Sequence, residues 1–130
     1  MAQTISINQH AYIEAVLERF NLTNTKPVLI PMEPNLQLPS QEGALTPKEA
    51  ERIHAVPYAE AIGSVLWPAI ISRPDVSYAV GALAHSIQNP THRHWEALKQ
   101  VIAYLGTTKD HWLVLGGLQD EGAIGYCDAD

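Results

Sequence analysis

Residues 91–105 read THRHWEALKQVIAYL, and this stretch decides what kind of core the chain can build. Its first residue, Thr91, is a good helix cap, and Pro90 just before it ends the preceding element. Apolar side chains then recur at helical spacing, at Trp95, Leu98, Val101, Ile102 and Leu105. This period predicts an amphipathic helix from His92 to about Leu105, whose apolar face other helices must cover.

Four further helices are predicted upstream of this stretch. They run from about Gln9 to Phe20, from Pro47 to His54, from Tyr58 to Leu66 and from Pro74 to Ile87. The second of them has a strong start, because Thr46 can cap it and Glu49 can bond back to the cap. Pro68 lacks a backbone donor and would cost ~3 kcal/mol inside a straight helix. We therefore expect the third helix to kink or to end near Leu66.

Short strands are predicted at both ends of the chain. Thr4–Ile7 alternates polar and apolar side chains, and Trp112–Leu115 and Ala123–Cys127 are apolar runs separated by turn residues. The two later runs predict a β-hairpin or two neighbouring strands. Residues 21–45 contain four prolines, which excludes a continuous helix and favours an extended linker on the surface. The predicted fold class is α+β, mainly α.

Composition limits the functions that the chain can have alone. Its 130 residues suffice for one compact domain with one core. It carries 8 Lys plus Arg against 14 Asp plus Glu, a formal net charge of −6, and the basic residues are dispersed. Tight autonomous binding to nucleic acid is therefore disfavoured. A single cysteine, no signal-like leader and no long apolar stretch predict an intracellular protein with no membrane role.

The sequence contains no complete motif for a structural zinc site, a hydrolase nucleophile or a phosphate-binding loop. The six histidines are dispersed, which disfavours structural zinc, and neither a nucleophile elbow nor a phosphate-binding loop is complete. The tryptophans at 67, 95 and 112 are interpreted as core side chains rather than as stacking platforms. Arg73 and Lys99 are the best candidates for phosphate contact. Helix capping and solvated surface positions are the alternative interpretations for these two residues.

A series of short motifs occurs in a specific order along the chain. They are Ile5–Ile13 leading to Arg19-Phe20, Pro31-Met32, Pro57-Tyr58, Ile62–Leu66, Arg73-Pro74-Asp75 with Val76–Val80, Pro90, His94-Trp95, Ala97–Lys99, Tyr104-Leu105, Thr108 and Gly125–Asp130. In order and spacing they resemble the copia-type reverse transcriptase region of long-terminal-repeat retrotransposon polyproteins, downstream of the catalytic aspartates of the polymerase. The last motif is similar to the start of the ribonuclease H domain of that family.

The resemblance implies a domain organisation and a role. Residues 1–108 would be a thumb-like helical bundle, with 21–45 as its linker, and 109–130 would be a tether and the first strands of a truncated ribonuclease H sheet. In the parent, an RNA-directed DNA polymerase with ribonuclease H activity, this region would position the RNA–DNA template–primer hybrid. The palm and the rest of ribonuclease H would be its partners. The polymerase tyrosine-x-aspartate-aspartate motif does not occur here, so we expect the segment alone to be no enzyme.

The resemblance also assigns one residue to metal chemistry. Asp128 matches the first metal ligand of ribonuclease H, which uses two Mg²⁺ ions held between several carboxylates. One carboxylate cannot position two ions, so Mg²⁺ is implied for the parent enzyme and no cofactor for the segment itself.

Several positions depart from the family pattern. Non-basic residues stand where the family often has basic ones, at Ala59, His85, Gln100, Ala103 and Gly106. Fewer cations weaken phosphate binding. The alternative hypothesis is a decayed or domesticated remnant that acts as a helical protein-interaction module through the acidic surface around Glu42–Glu60.

Overall fold

The computed structural model describes residues 3–39, 45–117, 125, 127 and 128, and it is mainly helical. The described elements, in chain order, are β1 (Thr4–Ile7), α1 (His10–Arg19), α2 (Pro47–His54), α3 (Tyr58–Ile71), a 3₁₀ turn (Pro74–Val76), α4 (Ser77–Ala84), α5 (His92–Thr107) and β2 (Leu113–Gly116). The predicted α+β, mainly α, fold class is confirmed.

Local capping chemistry explains where α2 and α5 begin. Thr46 and Glu49 form the predicted capping box, with the Thr46 backbone N–H donating to Glu49 Oε2 at 2.9 Å. At α5 the Thr91 backbone N–H donates to His94 Nδ1 at 3.0 Å. His94 is 1% exposed and burial lowers its pKa, so it stays in the neutral form that accepts this bond.

Of the two outcomes predicted for α3, a kink or an end near Leu66, the early end is wrong. The helix continues through Pro68 to Ile71. Proline cannot donate to the carbonyl one turn back, which belongs to Ser64. The Tyr12 hydroxyl, from α1, donates to that carbonyl at 2.8 Å instead. A side chain of another helix therefore supplies the hydrogen bond that the proline removes.

The core lies where α1, α3, α4 and α5 meet. The most completely buried side chains include Ile62 and Val65 of α3, Leu83 of α4, and Leu98 and Ile102 of α5. α1 approaches α5 closely at Gly106, where an added Cβ would lie 2.9 Å from the Leu17 side chain. A side chain at this position would therefore require the Leu17 methyl groups to shift, whereas the backbone conformation does not call for glycine.

The two described strands form one antiparallel ribbon between the ends of the chain. The register pairs Thr4 with Gly116 and Ile7 with Leu113. Gly116 has φ +94°, and a side chain there would meet the Gln3 carbonyl, so glycine is required at this end. The sequence predicted that this strand and Ala123–Cys127 would form a β-hairpin or two neighbouring strands. That run lies outside the described residues except for Gly125 and Cys127.

The remaining predictions have mixed outcomes. The described part of the linker, 21–39, is irregular as predicted, and Leu22, Met32 and Leu38 anchor it on the core.

Trp95 packs against the core, but Trp67 is 52% exposed and Trp112 is 61% exposed, so the core prediction is wrong for these two. Of the described helices, none has the length and apolar character to cross a bilayer.

Candidate nucleic-acid interface

Lys99 lies on the outward side of α5. Leu98 is fully buried and faces the core, so its neighbour Lys99 turns toward the surface. The Lys99 side chain is 32% exposed, and its Nζ lies 2.7 Å from Glu96 Oε1, one turn earlier. The predicted phosphate-contact residue is thus accessible but partly neutralised by its own helix.

A groove of about 1060 Å³ runs between this side of α5 and the linker. Residues 22–37 form one wall and residues 93–103 the other. Two hydrogen bonds hold the linker over the helix: the Val28 N–H donates to Thr107 Oγ1 at 3.0 Å, and Gln100 Nε2 donates to the Ile30 carbonyl at 3.2 Å. The linker therefore builds a concave surface instead of merely connecting two helices.

Five charged side chains line the groove. Lys26 and Arg93 join Lys99 there, opposed by Glu33 and Glu96. Within the described ranges, Lys26 and Arg93 have no ion-pair partner, whereas Arg19, Arg73 and Lys109 are paired elsewhere. The groove therefore carries three cations against two carboxylates, a small excess of positive charge on a chain whose net charge is −6. Such charge attracts phosphates in proportion to the contacts made.

Arg73, the second predicted phosphate contact, lies inside the fold. Its side chain is 3% exposed. Its Nε and Nη2 donate to the two carboxylate oxygens of Asp75 at 3.0 and 2.8 Å, and Nη1 donates to the Thr108 carbonyl at 3.0 Å. Its guanidinium also lies 5.5 Å from the centre of the Tyr104 ring. In this conformation Arg73 secures the C-terminal end of α5 and offers no surface to a phosphate.

The charge state of Asp75 fits this role. Burial opposes its ionisation, but hydrogen bonds from Arg73 and from Tyr104, at 2.7 Å, outweigh burial and lower its pKa below the ordinary value. Burial and the bond to Asp75 raise the pKa of Tyr104. Asp75 is therefore an ionised carboxylate that accepts hydrogen bonds from the Arg73 cation and from the neutral Tyr104 phenol. Hydrogen bonds to an ionised group are strong, so this arrangement stabilises the fold.

Asp128 lies in a part of the chain of which few residues are described. It is exposed, as is Cys127 beside it. Among the described residues no group of three or more His, Cys, Asp or Glu side chains is arranged to hold a metal ion. A two-metal site needs several carboxylates. The described residues therefore do not fit Mg²⁺, and the assignment of Asp128 to ribonuclease H stays a prediction.

Sequence reasoning missed Lys26 and Arg93. The signal for Arg93 was available, because Arg93, Glu96 and Gln100 recur at helical spacing and so share one side of α5. For Lys26 there was no such signal. It lies in an irregular segment whose path no periodicity predicts, and only the packing of the linker brings it to the groove.

Comparisons with known proteins find relatives among the retrovirus-related Pol polyproteins of transposons. The chain is 40% identical over 124 residues to the retrovirus-related Pol polyprotein from transposon TNT 1-94 of Nicotiana tabacum. It is 35% identical over 128 residues and 33% identical over 126 residues to the corresponding polyproteins from transposons RE2 and RE1 of Arabidopsis thaliana. These matches cover 95%, 98% and 97% of the chain.

The same matches cover 9%, 8% and 8% of the relatives, so the chain spans less than a tenth of the length of these curated proteins. No model of a protein family matches the chain, and no solved structure matches it.

Proposed function

This chain belongs to the Pol polyproteins of copia-type plant retrotransposons, as a short segment of them, and from that premise we propose that it positions an RNA–DNA template–primer hybrid. The groove beside α5 is the contact surface. Lys26, Arg93 and Lys99 bind backbone phosphates, and the ion pair between Lys99 and Glu96 opens when a phosphate replaces the carboxylate. The observation that carries the proposal is the convergence of two unpaired cations and Lys99 on one groove.

The segment itself performs no bond-breaking step in this proposal. Polymerase and ribonuclease H chemistry belong to the parent, in which the palm and the remaining ribonuclease H residues supply the carboxylates and Mg²⁺ supplies charge stabilisation when bound. Asp128 would be one carboxylate of that set. Arg73 supports the groove indirectly, because its bonds to Asp75 and Thr108 fix the end of α5.

The test is binding of a fluorescently labelled RNA–DNA hybrid across a salt series. Three phosphate contacts give a slope of roughly −0.9 per contact, so raising the salt from about 50 to about 200 mM should weaken binding about 40-fold. Replacing Arg93 with Gln should lower the slope by about one contact and weaken binding at low salt.

A matched control removes the same charge elsewhere. Lys48 is exposed on α2, outside the groove, and Lys48→Gln changes the net charge as much as Arg93→Gln does. Binding by the Lys48 variant should stay close to that of the original chain. Equal losses in both variants, or no binding at low salt by a chain that melts cooperatively, would contradict the proposal.

The net charge of −6 favours a second candidate, a helical module that binds a protein partner through its acidic surface. Part of that surface is already engaged, since Glu60 pairs with Arg19 and Glu49 bonds to Thr46. Glu42 lies outside the described residues. A protein partner retained at high salt, together with no hybrid binding, would support this candidate over the first.

A further inference from the structure

Residues 27–31 of the linker, which we call the strap, begin and end at proline. Each proline fixes its own φ angle and disfavours the helical conformation of the residue before it, so Lys26 and Ile30 favour extended backbone. In an extended chain successive side chains point to opposite sides. Val28 is half-buried whereas its neighbour Leu29 is 83% exposed, so the strap keeps one side toward the fold.

Two side chains of α5 bind this inner side of the strap. The Val28 N–H donates to Thr107 Oγ1 at 3.0 Å, and Gln100 Nε2 donates to the Ile30 carbonyl at 3.2 Å. The Thr107 hydroxyl also donates to the Ala103 carbonyl of its own helix at 3.0 Å. A hydroxyl has one proton, so this second bond leaves the oxygen lone pairs of Thr107 to accept from the strap.

Lys26 lies between these bonds and another anchor of the linker. Leu22 packs against the core, and its N–H donates to a carbonyl near the end of α1 at 2.8 Å. The Thr25 hydroxyl donates to the Leu22 carbonyl at 3.0 Å and fixes the turn between them. On the other side, Pro27 alone separates Lys26 from Val28. The backbone of Lys26 is therefore tied on both sides, although it lies in an irregular segment.

We infer that Thr107 and Gln100 are positioning residues of the groove. By binding the strap they keep Lys26 where its ammonium group reaches a phosphate. The same phosphate backbone contacts Arg93 and Lys99, which line the groove with Lys26. Neither positioning residue is charged, so each acts through Lys26. The inference deepens the proposed function and rests on it, since the phosphate belongs to the hybrid.

Release of the strap would weaken the contact at Lys26 for an entropic reason. The chain between Leu22 and Met32, which both pack against the core, would then sample many conformations. Binding of a phosphate by Lys26 would have to order this chain again, and that cost is subtracted from the affinity. With the strap bound to α5, the ordering is complete before the hybrid arrives.

The experiment measures the salt dependence of hybrid binding after two substitutions that leave the net charge unchanged. Thr107→Val removes the hydroxyl, and Gln100→Met removes the amide. Loss of the contact at Lys26 should change the slope from about −2.7 to about −1.8, so that raising the salt from about 50 to about 200 mM weakens binding about 12-fold instead of about 40-fold. The double variant should therefore have the slope of Lys26→Gln.

Three further variants test the cause. Lys26→Gln added to the double variant should change the slope no further, because that contact is already lost. Thr107→Ser keeps the hydroxyl and should keep the original slope. Thr23→Val makes the same kind of substitution at an exposed linker position outside the groove, and it should also keep the original slope. An unchanged slope in the double variant, or a further decrease when Lys26→Gln is added, would overturn the inference.

A measurement without hybrid separates this inference from the proposed function. The NMR order parameter of the Lys26 amide should be about 0.85 in the original chain and below about 0.6 in the double variant. The amide of Ile62, in the core, should stay at about 0.85 in both and so shows that the double variant is folded. Equal values at Lys26 in the two chains would overturn the inference. Loss of order at Lys26 in a chain that binds no hybrid would support the placement of Lys26 and overturn the proposed function.

Discussion

Replacing Tyr12 with Phe should destabilise this protein, although the change removes only one oxygen atom. The Tyr12 hydroxyl donates to the Ser64 carbonyl at 2.8 Å, and Pro68 is the residue that would normally donate to that carbonyl. Ser64 is 8% exposed, so water has little access to the carbonyl if the hydroxyl is removed. The variant therefore leaves a buried acceptor without a donor.

The expected magnitude follows from the chemistry of that acceptor. A hydrogen bond contributes about 0.5–1.5 kcal/mol net, and an unsatisfied buried polar group costs about 1–3 kcal/mol. We expect Tyr12→Phe to lower the free energy of unfolding by about 1–2 kcal/mol, and Tm by about 3–8 °C in a chain of this size. Urea and thermal unfolding, followed by far-UV circular dichroism, measure both quantities.

A double-mutant cycle with Pro68→Ala tests the cause. Alanine restores a backbone N–H that can donate to Ser64, so Tyr12→Phe should cost about 1 kcal/mol less in the Pro68→Ala background. Tyr78→Phe is the control, because Tyr78 is 84% exposed and should change stability by less than about 0.5 kcal/mol. A coupling energy indistinguishable from zero would refute the explanation of how α3 tolerates its proline.

Three other substitutions test separate parts of the fold. Gly63→Ala should raise the free energy of unfolding by about 0.5–1 kcal/mol, because nothing lies within 4 Å of the added Cβ in α3. Gly106→Ala should give a free energy of unfolding about 1–2 kcal/mol lower than that of Gly63→Ala, because buried Leu17 must shift. Urea melts of the two variants measure this difference. Arg73→Lys should cost about 2–3 kcal/mol, since lysine keeps the buried charge but cannot make the paired bonds, and an unchanged melt would contradict the structural role. Burial lowers the pKa of His94, so below about pH 6.5 the unfolded chain takes up a proton at this imidazole before the folded chain does. The free energy of unfolding should therefore fall as the pH drops, by at most about 1.4 kcal/mol per pH unit for His94. His94→Gln should flatten this dependence in melts at a series of pH values.

Local chemistry was sufficient to predict some elements from the sequence. The bounds predicted for α2 agree with the structure, because Thr46, Pro47 and Glu49 act within one turn of each other. The helical period also placed α5 correctly, apart from two more residues at its C-terminal end. In both helices the signals lie within the segment that they shape.

Contacts between distant residues account for the errors. Pro68 would end a helix in isolation, and the hydroxyl that compensates for it comes from a residue 52 positions away from Ser64. Trp67 was assigned to the core because it is aromatic, but α3 is apolar on both sides and only the inner side is covered. The groove between the linker and α5 was not predicted from the sequence either, because it depends on a contact between distant residues. No local pattern predicts that Lys26 reaches α5.

The pairing of Thr4 with Gly116 has a topological consequence. Opposite residues in an antiparallel pair have Cα atoms about 4.5–5.5 Å apart. The described fold therefore begins and ends at two neighbouring positions. A domain with this geometry can be inserted into a loop of another protein without moving the two flanking residues of that loop apart. By the same geometry, a short peptide could join the two ends and new termini could be opened elsewhere, giving a circularly permuted protein with the same helical core.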